Sequence, residues 1–314
     1  MAPVTVPQRE GQTFAGPSAT ARWASFVKLH TVFALPFALT GVVFASRIVM
    51  PTVGQIGWVV LAFTAARFAA MAFNRIIDRD VDAINPRTKL REIPSGALPL
   101  GQAKMSVVIA GVLFVVASWM LNPLCGMLSP VALAWVLFYS YCKRFTRWSH
   151  LVLGLGLGIA PVGGFLAVTG AWSVPAWMLP VLATAVMTWS GGFDILYALQ
   201  DVAFDRANKL HSLPAALGAP RALTVARVLH VGTVLLLALV GLATGGGVLY
   251  AVGVAVVALL LAYEHSLVKP DDLSKLDAAF FMMNGIISIT FFTFVLLERV
   301  LHLPSLVTLL TAGA

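Results

Sequence analysis

The chain alternates between long apolar runs and short polar stretches. A transmembrane helix needs about 20 consecutive apolar residues, and nine runs come close to that length. They cover residues 24–46, 54–74, 103–121, 126–143, 149–169, 176–195, 222–243, 247–264 and 279–298. None alternates with the period of two that is typical of membrane barrels, and a lipid-exposed backbone must satisfy its own hydrogen bonds. The pattern therefore predicts an all-α polytopic membrane protein with nine transmembrane helices.

The composition supports the same interpretation. Of the 314 residues, 59% are hydrophobic and 11% are charged, whereas soluble proteins carry about 25% charged residues. Once the nine runs are placed, no stretch is left for a soluble domain. We predict a single transmembrane domain over residues 23–300, a flexible cytoplasmic tail at 1–22 and a C-terminal tail at 301–314.

The basic residues gather in every second connection between the runs. They fall at 75–104, 143–147, 206–221 and 269–275, with Arg47 and Arg299 as the main exceptions. The positive-inside rule explains this asymmetry and the net charge of +8, so we expect no nucleic-acid partner. It places the N-terminus and the polar loops in the cytoplasm and, with nine spans, the C-terminus outside. The expected location is a membrane of the bacterial inner-membrane type.

Two acidic segments stand at ends of predicted spans on the charged side. The first reads NRIIDRDVD and carries Asn74, Asp78 and Asp82, each four residues from the last. On a helix, such residues share one face in a row about 12 Å long. The second segment carries Tyr197, Asp201 and Asp205 at the same spacing. Carboxylates near hydrocarbon are costly and mark functional sites, so we predict that the two rows form one site.

The ligand types predict a magnesium site. All-oxygen ligands suit a hard cation, and Mg²⁺ prefers one or two carboxylates together with substrate phosphates. The predicted magnesium ligands are Asn74, Asp78, Asp82, Asp201 and Asp205. Basic residues beside them suit the oxygens of a diphosphate; the candidates are Arg87, Lys89, Arg91, Lys143, Arg206, Lys209 and His211. A diphosphate at the rim of a membrane helix bundle implies a lipid diphosphate whose tail lies among the spans.

These residues resemble the motifs of the UbiA superfamily of intramembrane prenyltransferases. Residues 74–82 resemble its first aspartate-rich motif, 197–205 its second, and YSYCKRFT at 139–146 the tyrosine–lysine stretch between them. The strings at 28–39, 193–201 and 210–218 are similar to 4-hydroxybenzoate polyprenyltransferases and their menaquinone-pathway, dihydroxynaphthoate relatives. One departure is Arg75, which stands where many members have a further aspartate.

The resemblance implies a fold, a cofactor and a reaction. The expected fold is nine helices around a central cavity that opens to the cytoplasmic side. The expected reaction is the Mg²⁺-dependent transfer of a polyprenyl group from polyprenyl diphosphate to an aromatic ring in respiratory quinone biosynthesis. The partners would be polyprenyl diphosphate, an aromatic acceptor and the lipid bilayer.

The chemistry of such a transfer suggests roles for individual residues. Aromatic faces stabilise an allylic cation, and a carboxylate orients or deprotonates a phenol. The candidate catalytic residues are Asp194, Asp201, Tyr197 and Lys143. The candidates for contact with the carbocation or the acceptor are Tyr139, Phe193 and Arg144. Either Lys143 or Arg144 would hold the carboxylate of an aromatic acid.

Three further features carry expectations about packing. Arg67 lies inside the second predicted span and needs a partner within the bundle. The glycines of GLGLGIAPVGG at 154–164 predict close helix packing. Asp80 faces away from Asp78 and Asp82 on a helix and is expected to be solvated.

Other functions fit the pattern less well. A secondary transporter holds its acidic residues near the middle of the bilayer, whereas these cluster at one interface beside basic residues. A CDP-alcohol phosphatidyltransferase would carry a DGxxAR motif, which this sequence lacks. Within the superfamily, haem and chlorophyll prenylation stay open. The residues do not distinguish between 4-hydroxybenzoate, a dihydroxynaphthoate and another phenol.

Overall fold

The structure is a computed structural model that describes Trp23, Phe26 and residues 34–276 and 282–301. Within these residues every regular element is a helix. The predicted tail at 1–22 and nearly all of the predicted tail at 301–314 lie outside the described residues.

Twelve α-helices follow one another along the described chain. They are α1 (Leu35–Ala45), α2 (Val53–Ile77), α3 (Arg79–Ile84), α4 (Leu100–Leu121), α5 (Pro123–Cys142), α6 (Ser149–Thr169), α7 (Met178–Tyr197), α8 (Val202–Ala207), α9 (Leu213–Leu217), α10 (Ala219–Thr244), α11 (Val248–Leu267) and α12 (Asn284–Val300). A short 3₁₀ turn at Ala198–Asp201 joins α7 to α8. The short helices α3, α8 and α9 carry or follow the two acidic segments.

Seven of the described helices are long and apolar enough to cross a membrane. They include α2, α4, α5, α6, α10 and α11, and the seventh runs from Met178 through Ala207. The predicted first and ninth spans correspond to the shorter helices α1 and α12, and the first extends beyond the described residues. The all-helical membrane architecture is therefore confirmed, whereas the count of nine spans stays a prediction.

The outer surface of the bundle is apolar, as a lipid-facing surface must be. On α10 the residues Val228, Val231, Leu235 and Leu242 are each 59–72% exposed. Their spacing of three, four and seven residues places them on one face of the helix. The opposite face of α10 packs mainly against α7. An exposed stripe of this length would be unfavourable in water, so it supports a membrane environment.

Glycines allow α6 to lie in direct contact with its neighbours. A Cβ atom on Gly158 would come within 2.4 Å of the carbonyl oxygen of Ala183 on α7, and one on Gly164 within 2.1 Å of the carbonyl oxygen of Ala38 on α1. The predicted close packing around residues 154–164 is thus confirmed. This contact fixes the position of α7, which carries Phe193, Asp194 and Tyr197.

A separate charged network explains the exceptional position of Arg47. Its guanidinium forms an ion pair of 3.0 Å with Glu298 of α12. The other carboxylate oxygen of Glu298 accepts hydrogen bonds from the N–H groups of Gly247 and Tyr250, at 2.9 and 2.7 Å. Since Gly247 and Tyr250 lie at the first turn of α11, Glu298 caps that helix.

Candidate functional site

The first acidic segment follows a break in the helix. Helix α2 ends at Ile77, and Asp78 is both its C-cap and the N-cap of α3. Backbone hydrogen bonds from Asp78 to Asn74 (2.8 Å) and from Asp82 to Asp78 (2.7 Å) keep the spacing of an α-helix across the break. The three polar residues therefore stay on one side of the chain, as the sequence predicts.

The second acidic segment is less regular than the sequence suggests. Tyr197 is the last residue of α7, Asp201 ends the 3₁₀ turn, and Asp205 lies in α8. A 3₁₀ turn has three residues per turn, so this row does not follow the straight face of one α-helix. Asp201 and Asp205 are nevertheless both buried.

Arg87 joins the two acidic segments. It extends from the loop after α3 and donates to both carboxylate oxygens of Asp201, at 3.1 and 2.7 Å. It also donates to the hydroxyl of Tyr197 (3.3 Å) and lies over the Tyr197 ring, 5.6 Å from its centroid. From the same loop, Arg91 contacts both oxygens of Asp82 at 3.0 Å. Arg87 and Arg91, both predicted diphosphate ligands, thus pair with Asp201 and Asp82, both predicted metal ligands.

Asp78 belongs to a third pair of this kind. Its carboxylate lies 3.0 Å from the guanidinium of Arg144 and accepts a hydrogen bond of 2.9 Å from the amide of Asn74. Burial raises the pKa of Asp78 above the usual range for an aspartate, while the positive charge of Arg144 opposes that rise. Arg144 also donates to the main-chain oxygens of Ser140 and Ile77, so its position is firmly fixed.

Asp205 is held by the loop that follows α8. Its carboxylate accepts a hydrogen bond of 2.8 Å from the hydroxyl of Ser212, which in turn caps α9. The charge of Lys143 acts on both Asp78 and Asp205. Lys143 therefore lies near both acidic segments, and its contact with a shared ligand stays a prediction.

A cavity of about 440 Å³ lies among α1, α2 and α4 to α7. That volume falls within the usual range of about 300–1,000 Å³ for small-molecule sites. Most of its wall is apolar, and its polar groups include several of the predicted site residues. These are Asn74, Arg91, Tyr139, Asp194 and Tyr197, and the ring of Phe193 lies among them.

Arg67 also lines this cavity. Its Nε is buried and has no hydrogen-bond partner among the residues that the structure describes. The sequence predicts that Arg67 needs a partner inside the bundle. The structure places its side chain on the wall of the cavity, where a bound anion would supply that partner.

The predicted diphosphate ligands separate into two places. Arg206, Lys209 and His211 line an outer depression together with Asp205, away from the residues that line the main cavity. Lys89 is exposed. Within the described structure, the members of this predicted group that form ion pairs with the acidic segments are Arg87, which pairs with Asp201, and Arg91, which pairs with Asp82.

Two buried residues of this region were not anticipated from the sequence. Glu92 is almost completely buried and forms an ion pair with Arg75, whose guanidinium also lies 5.7 Å from the centre of the Phe26 ring. His150 is completely buried, and its Nδ1 lies 2.6 Å from Asp194. His150 is a single polar residue at the edge of an apolar run, and Glu92 is one charge among many in a polar connection. Neither position in the sequence reveals the partner.

The donor set is compatible with magnesium that is shared with a ligand. Among the described residues, no three His, Cys, Asp or Glu side chains converge closely enough to hold a metal by themselves. Mg²⁺ does not require such a cage, because it is usually bound by one or two carboxylates plus substrate phosphates. Buried oxygen ligands on two facing segments fit that mode of binding.

Comparisons with known proteins agree with this architecture. Residues 34–286 match the model of the UbiA prenyltransferase family. The chain therefore belongs to the UbiA prenyltransferase family, which confirms the resemblance found in its motifs.

Similar proteins include two 4-hydroxybenzoate octaprenyltransferases. The one from Sodalis glossinidius is 29% identical over 250 residues, which cover 79% of this chain and 84% of the relative. The one from Aromatoleum aromaticum is 29% identical over 232 residues, covering 73% and 77%.

Solved structures of the family share the fold. A UbiA homologue from Aeropyrum pernix K1 superposes with a TM-score of 0.79 at 30% identity, covering 87% of this chain and 98% of that one. A homologue from Archaeoglobus fulgidus, bound to DMAPP and Mg²⁺, gives a TM-score of 0.68 at 19% identity and covers 89% and 99%.

Proposed function

We propose that this protein transfers a polyprenyl group from a polyprenyl diphosphate to an aromatic ring that carries a hydroxyl and a carboxylate. The observation that carries the proposal is the cavity, whose apolar wall leads to a polar end formed by both acidic segments. Asn74 reaches it from the first segment, Tyr197 from the second, and Arg91 from the loop after α3. A ligand with an isoprenoid tail and a diphosphate head has this distribution of polarity.

The relatives support the same reaction. Two are named as 4-hydroxybenzoate octaprenyltransferases, and the Archaeoglobus fulgidus homologue is also known bound to GPP and Mg²⁺. We extend the prenyl diphosphate, the aromatic acceptor and the magnesium requirement to this chain. Asn74, Asp78, Asp82, Asp201 and Asp205 would hold Mg²⁺, which neutralises charge on the leaving diphosphate.

The basic residues next to the carboxylates would receive the diphosphate. Arg87 forms a two-pronged contact with Asp201 through Nε and Nη2, and Arg91 contacts both oxygens of Asp82 through Nη1. The planar fork of a guanidinium also fits phosphate oxygens. The allylic C–O bond breaks, and its electron pair leaves with the diphosphate. The aromatic faces of Tyr139, Phe193 and Tyr197 line the cavity where positive charge then develops, and they stabilise that charge.

Asp194 is the best-placed base. It lines the cavity and is only 14% exposed. As its carboxylate takes the proton of the acceptor hydroxyl, electron density shifts to the neighbouring ring carbon, which forms the new C–C bond. The hydrogen on that carbon is then lost as a proton to the released diphosphate, which restores aromaticity, and Asp194 returns its proton to the phenolate oxygen.

Arg67 suits the carboxylate of the acceptor better than Lys143 or Arg144. It lines the cavity and its Nε has no hydrogen-bond partner among the described residues. Arg144 is held by Asp78 and two main-chain oxygens. We also propose that the acidic segments face the cytoplasm, because the basic loops follow the positive-inside rule.

The test uses purified protein in nanodiscs with geranyl diphosphate, with and without Mg²⁺. The acceptors are 4-hydroxybenzoate, a dihydroxynaphthoate and a matching phenol that lacks the carboxylate. We expect Mg²⁺-dependent prenylation of a carboxylate-bearing acceptor. Arg67→Gln should raise the KM of that acceptor by roughly 30-fold or more, since it removes a buried charge partner. Arg67→Lys keeps the positive charge and should raise this KM by a smaller factor. Failure of the wild-type protein to prenylate any of these rings would contradict the proposal.

A further inference from the structure

His150 lies at the beginning of α6, outside every motif that the sequence singles out. Its Nδ1 is 2.6 Å from Oδ2 of Asp194 on α7. The contact depends on close helix packing, because a Cβ on Gly154 would lie 2.3 Å from the carbonyl oxygen of Met187. The two helices therefore meet through their backbones one turn from His150 on α6 and two turns from Asp194 on α7, which leaves little freedom for either side chain.

The other ring nitrogen defines the tautomer of His150. Nε2 faces the backbone N–H of Leu213 at 3.4 Å. An N–H group can donate to Nε2 only if that nitrogen carries no proton. The proton of the imidazole therefore resides on Nδ1 and is donated to Asp194. This arrangement, in which one ring nitrogen is fixed by the backbone and the other orients a carboxylate, is typical of histidines that position a functional group.

The hydrogen bond fixes the orientation of Asp194. Oδ2 accepts from His150, and no described residue donates a hydrogen bond to Oδ1. Since Asp194 lines the cavity, Oδ1 is the oxygen that is left for a bound molecule. A carboxylate held at one oxygen cannot rotate freely, so its remaining acceptor keeps a constant direction.

We propose that His150 is a positioning residue for the prenyl transfer, which holds Asp194 so that Oδ1 receives the proton of the acceptor hydroxyl. The inference rests on the proposed function. His150 does not touch substrate; it acts through Asp194. Its effect should therefore appear in the turnover of bound acceptor and not in the binding of the prenyl diphosphate.

His150 also connects the base to the second acidic segment. Leu213 directly follows Ser212, whose hydroxyl donates to Asp205 at 2.8 Å. The loop that holds Asp205 therefore also supplies the N–H that sets the tautomer of His150. Displacement of this loop would disturb both the predicted metal ligand and the base.

The kinetic test compares four variants with the wild type: His150→Phe, His150→Asn, Asp194→Asn and the double variant with His150→Phe and Asp194→Asn. His150→Phe keeps a ring but loses both nitrogens, and we expect kcat to fall by up to about 100-fold, the cost of a misplaced reacting group. The KM of geranyl diphosphate should stay within about twofold of the wild-type value, since the residues that bind this substrate are unchanged. The amide of His150→Asn can donate to Asp194 and should restore much of kcat.

The double variant distinguishes positioning from a general structural role. If His150 acts only through Asp194, His150→Phe should cause little further loss when Asp194 is already Asn, because residues that act as a unit are not additive. A full additional loss in the double variant, or an unchanged kcat in His150→Phe, would overturn the inference while the proposed function stands. A wild-type protein that transfers no prenyl group would overturn both.

A spectroscopic measurement reads the tautomer of His150 directly. The chain has six histidines, so ¹⁵N-histidine labelling gives a small set of signals. We expect one histidine in the Nδ1–H tautomer, and His150→Asn should remove that signal. Asp194→Asn should shift it. Assignment of His150 to the Nε2–H tautomer would overturn the inference.

Discussion

Two of the carboxylate–arginine groups in the described part of the chain differ in the partners that hold the carboxylates. Glu298 binds Arg47 on one oxygen and two backbone N–H groups of α11 on the other. Asp82 and Asp201 bind the side chains of Arg91 and Arg87. The first network connects helices partly through backbone N–H groups, whose positions are fixed by the helix. The second consists of side-chain pairs beside a cavity, which a ligand can separate.

The comparison teaches that burial and ion pairing do not by themselves mark a functional site. Glu298 and Asp82 are both buried, with side chains 2% and 8% exposed. What distinguishes Asp82 is that its arginine partner lines a cavity. The first group should therefore control stability, and the second should control activity.

The largest effect is expected for Glu298→Ala. This change removes the carboxylate partner of Arg47, which keeps its hydrogen bonds to the main-chain oxygens of Thr244 and Gly245, and leaves two backbone donors of α11 without their acceptor. Loss of one partner of a buried pair costs about 3–5 kcal/mol. Thermal unfolding in detergent should show a markedly lower Tm, while kcat of the remaining folded protein should be unchanged. Glu298→Gln keeps an acceptor oxygen and should lose less. A Tm equal to that of the wild type would remove the distinction between the two groups.

Asp82→Asn should have the opposite profile. We expect kcat/KM to fall by about 100-fold, as when a metal site loses a supporting carboxylate, with a much smaller change in Tm than Glu298→Ala. Asp80→Asn is the matched control, because the side chain of Asp80 is 80% exposed and forms an ion pair with its neighbour Arg79. Equal losses in the two aspartate variants would mean that the acidic segment acts only through its overall charge.

The smallest effect concerns pH. The pKa of Asp78 is raised by burial and held down in part by Arg144. As the pH falls, Asp78 should therefore be protonated earlier than an ordinary aspartate, and Mg²⁺-dependent activity should decline. Arg144→Gln removes the opposing charge, so the acidic limb of the pH–rate profile should move to higher pH by about one unit. A shift to lower pH would contradict this assignment of cause.

The helices could be predicted from the sequence because apolar run length is a local property. The predicted span at 149–169 coincides with α6, and the predicted 54–74 lies within α2. The first span is the exception, since its helix begins at Leu35 within the described residues. The short breaks at Asp78 and at Ala198–Asp201 were missed because helix ends in polar segments carry no apolar period.

The pairing of side chains could not be predicted in the same way. The sequence shows that Arg87 would face an anion, but both a carboxylate and a diphosphate satisfy that requirement. Its partner Asp201 is 114 residues away, so only the packing of α7 against its neighbours brings them together. The same holds for His150 and Asp194, which come from different helices. Residue types predict the chemistry of the site, whereas tertiary contacts decide the partners.

The three arginine–aspartate pairs have a consequence for how ligands enter. A diphosphate that bound alone to these arginines would leave Asp78, Asp82 and Asp201 without counter-ions, and a cation alone would do the same to the arginines. When both arrive, each charged side chain exchanges one partner for another. We therefore expect heterotropic cooperativity: Mg²⁺ and the diphosphate should each strengthen the binding of the other by the same factor.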